Sequence, residues 1–408
     1  MKVFLITAGT LSGNKGSESM FTAVYQNLRR LYPGSRFYFL SYYPKADRQI
    51  VKNSDIEILS GTPLNLLLVA TPLSAVFRLF SDSRISTRLI EKNPVIKAIK
   101  RADLVIDIGG ITFSDGREMY LPFNIVTILP ALMMRKRVIK CAQAMGPFNR
   151  FLNRVCAKRI LPKLELIFAR GKTTADHLKT LGLRNAIQVS DVAFSMRVDD
   201  VDTQRIRKRF YPATDRVVGI APSSVLYKYC RKRNIDYSDI LARFCDSVAL
   251  KRQFKIVLIP HSIRKHTDRL KNNDLPVIKQ IMRSVKCRDH VESIDDDLTA
   301  SELRSVMQQC DFFIASRFHS MISALSEKIP TIVCGWGHKY LEVMREFDLA
   351  EYTIDYIDLS HETLLSVFEK LHDAETDVRK NIDWKLPEIK RNADIQFEQI
   401  KRIIGRDE

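Results

Sequence analysis

The residues best suited to chemistry lie in FFIASRFHSMISALSEKIPTIVCGWGHK, positions 312–339. An apolar run ends there in Ser316, Arg317, Phe318 and His319, at the start of a helical pattern. A helix start presents backbone N–H groups that no intrahelical carbonyl satisfies, so an anion is favoured beside it. Arg317 adds a fixed positive charge. His319 adds a group that titrates near neutrality and can pass a proton. Ser316 is expected to cap the helix. An anion site beside a proton donor is what phosphate-releasing group transfer requires. A second apolar run, IVLIPHS, delivers His261 and Ser262 at its end.

Three loops in the first half have related features. Gly9-TLS-Gly13-Asn14-Lys15-Gly16 follows an apolar run and precedes a helical pattern. Its glycines permit close backbone approach to a ligand, and the helix start favours an anion. Their spacing fits neither the phosphate loop of NTPases nor the dinucleotide-binding GxGxxG. Asp107-Ile-Gly109-Gly110 ends another apolar run. Arg170, at the mouth of a third, can grip a carboxylate or phosphate with two parallel hydrogen bonds.

Positioning these loops calls for alternating strands and helices. Strands are expected at 3–7, 36–41, 104–108, 138–142, 166–169 and 187–190, then at 217–221, 255–260, 312–315 and 331–334. Helices are expected between them, and Thr299 with Glu302 forms a capping-box pattern opening one of these. The stretch 198–216 is charged, carries a proline and lacks an apolar run, so it is read as a linker. The expected organisation is a basic Rossmann-like domain over 1–197 on the acceptor side, a linker over 198–216, a Rossmann-like donor-side domain over 217–374, and a C-terminal helix over 375–408 packing back on the first domain. In this α/β architecture the two domains face a cleft, with loops at the carboxyl ends of both sheets.

The chain has 408 residues and a net charge of +18, and its first 200 residues hold 30 Lys and Arg against 15 Asp and Glu. Such a field concentrates anionic partners. No recognition-helix signature or aromatic–basic platform accompanies it, so nucleic acid is not an expected partner. Seven scattered cysteines without a CxxC pair fit a reducing cytoplasm and exclude zinc-ribbon chemistry. No metal cluster or cofactor motif is visible, and none is expected. No stretch reaches the apolar length of a membrane span. Residues 64–80 and 121–134 are apolar with basic flanks, including Arg84 and Arg88, a pattern shared by interfacial segments on an anionic membrane and by buried helices.

The set Gly13-Asn14-Lys15-Gly16, Asp107–Gly110, Gln143–Pro147, Arg170, Asp191-Val192-Ala193, Pro260-His261-Ser262, Ser316-Arg317-Phe318-His319-Ser320, Pro330-Thr331-Ile332 and Lys339 resembles the polysaccharide pyruvyl transferase family in order and spacing. The resemblance implies two Rossmann-like domains similar to GT-B glycosyltransferases. It also implies transfer of a pyruvyl group from phosphoenolpyruvate to two hydroxyls of a sugar as a cyclic ketal. His319 and Arg170 then look catalytic, His319 as the general acid. Arg317, Phe318, Ser316, His261, Ser262 and Lys339 look like donor-binding residues, and Gly13, Asn14, Lys15, Gly109 and Gly110 line the acceptor side. The expected partners are phosphoenolpyruvate, a sugar or lipid-linked oligosaccharide, and an anionic membrane surface. The expected location is the cytoplasm, peripheral at the inner face of the membrane. The chain departs from the family at Gly171, where many members have Asp. The competing reading is a GT-B glycosyltransferase that uses a nucleotide sugar for cell-surface polysaccharide synthesis.

Overall fold

The computed structural model describes residues 1–51, 53–80, 92–210, 216–264, 270 and 272–405. Backbone contacts divide the chain into two units. One comprises Met1–Ser12, Met20–Met196 and Arg391–Glu408; the other comprises Gly13–Ser19 and Arg197–Lys390.

The first unit is built on strands β1 (Val3–Gly9), β2 (Arg36–Ser41), β3 (Ile56–Ser60), β4 (Leu104–Asp107), β5 (Ile111–Ser114), β6 (Val138–Gly146), β7 (Leu166–Arg170) and β8 (Ala186–Val189). Their order is β3-β2-β1-β4-β6-β7-β8, with β5 beside β6, and the pairings are parallel. The second unit holds β9 (Val217–Ala221), β10 (Lys255–Leu258), β11 (Val291–Ser293), β12 (Phe312–Ala315), β13 (Thr331–Gly335) and β14 (Thr353–Asp355). This sheet is also parallel, in the order β11-β10-β9-β12-β13-β14. Central strands such as β4, β9, β12 and β13 are buried at every position. Helices cover both faces of such sheets, so these strands read as unbroken apolar runs.

All ten expected strands are present. The four that were not expected are short or lie at edges. β11 and β14 have three residues each, and β3 is an edge strand whose apolar run Ile58-Leu59 is broken by Glu57 and Ser60. β5 follows directly on Gly109-Gly110, in a segment that reads as loop because the glycines interrupt the apolar pattern. A further difference falls on the expected linker, much of which is the helix Asp200–Phe210, while residues 211–215 lie outside the described residues. Its Thr203 hydroxyl lies 3.3 Å from that of Ser305, and Arg205 pairs with Glu302.

Thr299 and Glu302 form the expected capping box, with bonds of 2.6 and 3.2 Å. The last helix runs Glu375–Gly405. Its start is tied into the second unit, where Arg216 and Arg379 hold Glu375. Its end belongs to the first unit, where Asp394 accepts from Ser195 (2.6 Å) and Gln396 from Cys141 (3.0 Å). Among the described residues no helix is long and apolar enough to cross a membrane.

Candidate functional site

In the second unit β9 leads outward in one direction through β10 and β11. The chain then returns to build β12, β13 and β14 on the other side of β9. Ligands of open α/β sheets bind outside the carboxyl ends of the strands at such a reversal. The turns found there carry Ser224 after β9, His261 and Ser262 after β10, and Ser316 to His319 after β12.

Asp274 organises this edge. Its carboxylate is fully buried and accepts from Arg317 Nη2 (2.5 Å), Arg317 Nε (3.2 Å) and the Ser224 backbone N–H (2.8 Å). Arg317 Nη2 also donates to Ser224 Oγ (3.0 Å). A guanidinium has five N–H donors, and this pairing leaves the two on Nη1 outside the Asp274 bridge. Ser316 does not cap the following helix. Its buried hydroxyl accepts instead from Tyr237 (2.8 Å), and Arg317 occupies the cap position without a side-chain cap bond. The corrected roles follow from strand alternation, which turns Ser316 into the core and Arg317 out of it.

Gly13–Ser19 joins this edge. Ser262 Oγ donates to the Gly13 carbonyl (2.7 Å), and the Lys15 N–H donates to the His261 carbonyl (3.1 Å). Gly13 sits at φ +71°, a conformation glycine adopts without a Cβ penalty. Asn14 Oδ1 accepts from the Ser17 N–H (3.3 Å) at the helix start. Lys15, expected to face an acceptor, is buried between Glu18 (3.0 Å) and Asp297 (2.9 Å). Burial works against its charge, but those two carboxylates outweigh it and raise its pKa. Lys15 therefore ties the loop down. Gly16 serves a different end: a Cβ there would lie 2.3 Å from His319 Nδ1 and 2.7 Å from its Cγ. The imidazole rests directly against the bare backbone of that first helical turn.

His261 is buried in the same cluster. Burial first, then the charges of His319, Arg317, Lys15 and Arg304, hold its pKa well below the usual 6.5. Arg304, on the helix Ala300–Met307, is a buried cation that the sequence reading passed over because nothing in its local spacing marks it. A pH dependence follows. Unfolded, His261 takes up a proton near pH 6.5, whereas folded it stays neutral to much lower pH. Its stabilising contribution is complete above pH 6.5 and is lost as pH falls below it. The loss from this group approaches about 1.4 kcal/mol per pH unit. Denaturant unfolding between pH 7 and 5 is expected to show a shallower acid decline for His261→Gln than for the wild type (both pH values taken roughly to bracket the titration of a free imidazole). Parallel declines would refute it.

Lys339 completes this edge. Its ammonium lies over the rings of Trp336 (4.8 Å), Phe318 (5.0 Å) and Tyr340 (5.2 Å). Trp336 in turn stacks on Tyr229 at 5.3 Å. Cys334, just before it on β13, is no nucleophile, since burial and then Cys230 push its thiol up to about 12.

The first unit holds the other expected residues. Asp107 is buried and paired with Lys140 (2.8 Å), and Gln143 donates to its carboxylate (2.6 Å) and its carbonyl (2.7 Å). This network joins the ends of β4 and β6. Gly109 donates its N–H to Asp107 (2.9 Å), and Gly110 faces open space. Arg170 is buried against Asp191 (2.8 Å), which also caps the turn Val192–Ser195. That engagement gives it a task in holding the ends of β7 and β8. The following Gly171 has φ +75°, a region that glycine enters without a Cβ penalty. Asp47, unmarked in the sequence, accepts from the Leu11 and Ser12 N–H groups (3.0 and 2.7 Å) and from Ser41 Oγ (2.6 Å). Those loop amides are therefore satisfied by the protein's own carboxylate. Among the described residues no group of His, Cys, Asp and Glu is arranged to hold a metal ion.

Two parallel α/β units of this kind define the GT-B class, and solved structures agree. The chain is similar to the UDP-GlcNAc 2-epimerase of Neisseria meningitidis (TM-score 0.66, 13% identity, 98% of this chain and 100% of the other). It is likewise similar to a glycosyltransferase of Rickettsia africae (TM-score 0.55, 11% identity, 99% and 98%). Residues 14–338 match the polysaccharide pyruvyl transferase family, and the chain belongs to it. The amylovoran biosynthesis protein AmsJ of Erwinia amylovora is 21% identical over 291 residues, covering 70% of this chain and 69% of that protein. The protein is therefore an enzyme of the transferase class that modifies polysaccharide.

Proposed function

We propose that the protein transfers a pyruvyl group from phosphoenolpyruvate to two hydroxyls of one sugar in a polysaccharide or lipid-linked repeat unit, forming a cyclic ketal. The observation that carries this reading is the seat of His319 against Gly16, in the cluster that holds Arg317 and His261, at the chain reversal of the second sheet. A donor with both a phosphate and a carboxylate needs a cationic setting, and protonation of its methylene carbon needs an acid.

His319 gives its proton to the methylene carbon, leaving an oxocarbenium-like centre at C2. One sugar hydroxyl adds there and returns its proton to His319. The C2–O bond to phosphate breaks, and the second hydroxyl closes the ketal. That hydroxyl's proton leaves with the phosphate. Arg317, through its Nη1 side, and the helix start at Phe318 offset donor charge. The activity belongs in the cytoplasm, where phosphoenolpyruvate is made.

Incubation with phosphoenolpyruvate and candidate glycans is expected to release inorganic phosphate in proportion to a mass gain of one pyruvyl ketal per acceptor. The GT-B likeness keeps one alternative in view, glycosyl transfer from a nucleotide sugar. Calorimetry separates the two. Binding of phosphoenolpyruvate with no response to a nucleotide-sugar panel is the expected result, and the reverse pattern would overturn the assignment.

A further inference from the structure

The first unit carries an apolar surface that its own fold does not cover. The segment Pro63–Leu79 is helical, with a π-helical turn over Leu66–Ala70. Leu66 and Ala70 enter the core, and Thr71–Leu79 packs on the helix Leu129–Met133. The opposite side of the same turn points outward: Leu64 is 70% exposed and Leu68 65%, with Leu67 and Val69 also exposed. A helix that is apolar all round belongs in an apolar surrounding, and water is a poor one.

A second patch repeats the pattern. Met119 is 76% exposed, and the exposed rings of Tyr120 and Phe123 lie 6.5 Å apart. Beside it Phe151 is 73% exposed, with Leu152 next to it. Asp115 fastens the two loops together, accepting from the N–H groups of Asn149 and Arg150 and from the Asn153 side chain. Cations are interleaved with these side chains. Arg117 lies over the Tyr120 ring at 5.2 Å, Arg150 is exposed and 3.4 Å from Glu118, and Arg154 is exposed. Arg84 and Arg88 lie outside the described residues.

We infer that these two patches of the first unit dock on the surface of an anionic lipid bilayer, inserting their leucines and aromatic rings at headgroup depth while the arginines meet lipid phosphates. Charge selects this occupant. Apolar side chains, interleaved at the second patch with Arg117, Arg150 and Arg154, in a half-chain with twice as many basic as acidic residues, match an interface that is apolar beneath and negative above. The inference concerns location and is independent of which group is transferred.

The test is co-sedimentation of the full chain with phosphatidylcholine vesicles, with and without a one-third share of phosphatidylglycerol, at low salt. Binding is expected to be about tenfold or more stronger to the anionic vesicles. The triple variant Leu64→Ser, Leu67→Ser, Leu68→Ser is expected to weaken it by about tenfold or more. Arg150→Ser with Arg154→Ser is expected to reduce the preference for anionic lipid. All variants should keep the wild-type melting temperature and the wild-type binding of phosphoenolpyruvate, which separates failure here from failure of the proposed chemistry. No binding by the wild type, equal binding to both vesicles, or undiminished binding by the triple variant would each overturn the inference. So would a wild-type dimer that the triple variant dissolves, since the first patch would then join two copies.

Discussion

His319→Ala is expected to lower turnover in the phosphate-release assay by about 10²–10⁴-fold, the range that a positioned general acid supplies. Melting temperature should stay near that of the wild type, because the imidazole is only partly buried. The effect should fall on kcat. In the proposed reaction the ring's task is to move a proton in the transition state, and donor charge is met elsewhere at the same edge. Gly16→Ala supplies the positional counterpart. Its new methyl would stand 2.3 Å from Nδ1, so the ring must leave its seat. A displacement of about 1 Å at a reacting group is enough for roughly a 10²-fold loss. The two changes should not add: with the imidazole already gone, the methyl meets only the Cβ that alanine keeps, at 3.1 Å, and Gly16→Ala on the His319→Ala background should cost far less turnover than on the wild type. Turnover unaffected by His319→Ala would remove the acid from the mechanism, and additive losses would remove the coupling between ring and glycine.

That coupling shows where the sequence could be read and where it could not. The strands leading to Arg317 and His319 are visible because a buried parallel strand must be apolar on both faces and then turn abruptly polar. The short edge strands β11 and β14 escape because three residues carry no period. The type and place of His319 were legible, but its contact with Gly16 was not, because 303 positions separate them and neither residue's neighbours encode the meeting. The same holds for Lys15. Its charge suggested a ligand, yet Asp297, brought in from the far end of the chain, cancels it. Arg170 and Asp107 stood out in the family pattern, and both prove to be buried and paired, which means a recurring motif residue can be holding strand ends together. Asp274 had no motif to mark it, although the sequence Asp-Leu-Pro is a helix-start pattern. Only the fold turns its carboxylate away from that helix and toward Arg317.

Removing that carboxylate is expected to give the largest loss of stability. Asp274→Ala leaves Arg317 partly buried without its counter-ion and leaves the Ser224 N–H without an acceptor. Breaking a buried ion pair from one side typically costs about 3–5 kcal/mol, since the remaining charge keeps its desolvation cost and loses its attraction. For a unit of this size, that corresponds to a fall of roughly 10 °C in the melting transition of the second unit, measured by calorimetry. Asp274→Asn keeps an acceptor oxygen for the Ser224 amide and should lose less. The decisive comparison is the pair Asp274→Ala with Arg317→Met. If the cost lies in the stranded guanidinium, replacing it with an apolar chain of similar reach should recover much of the lost temperature even though a second native residue is gone. The double variant should nevertheless remain defective in phosphoenolpyruvate binding if the proposed function holds, because that proposal makes Arg317 the cation that meets the donor. A single variant that melts within about 2 °C of the wild type, under 1 kcal/mol for a unit of this size, would mean that Arg317 reaches solvent without Asp274. The pair would then have no part in holding the strand-to-helix turn that aims His319.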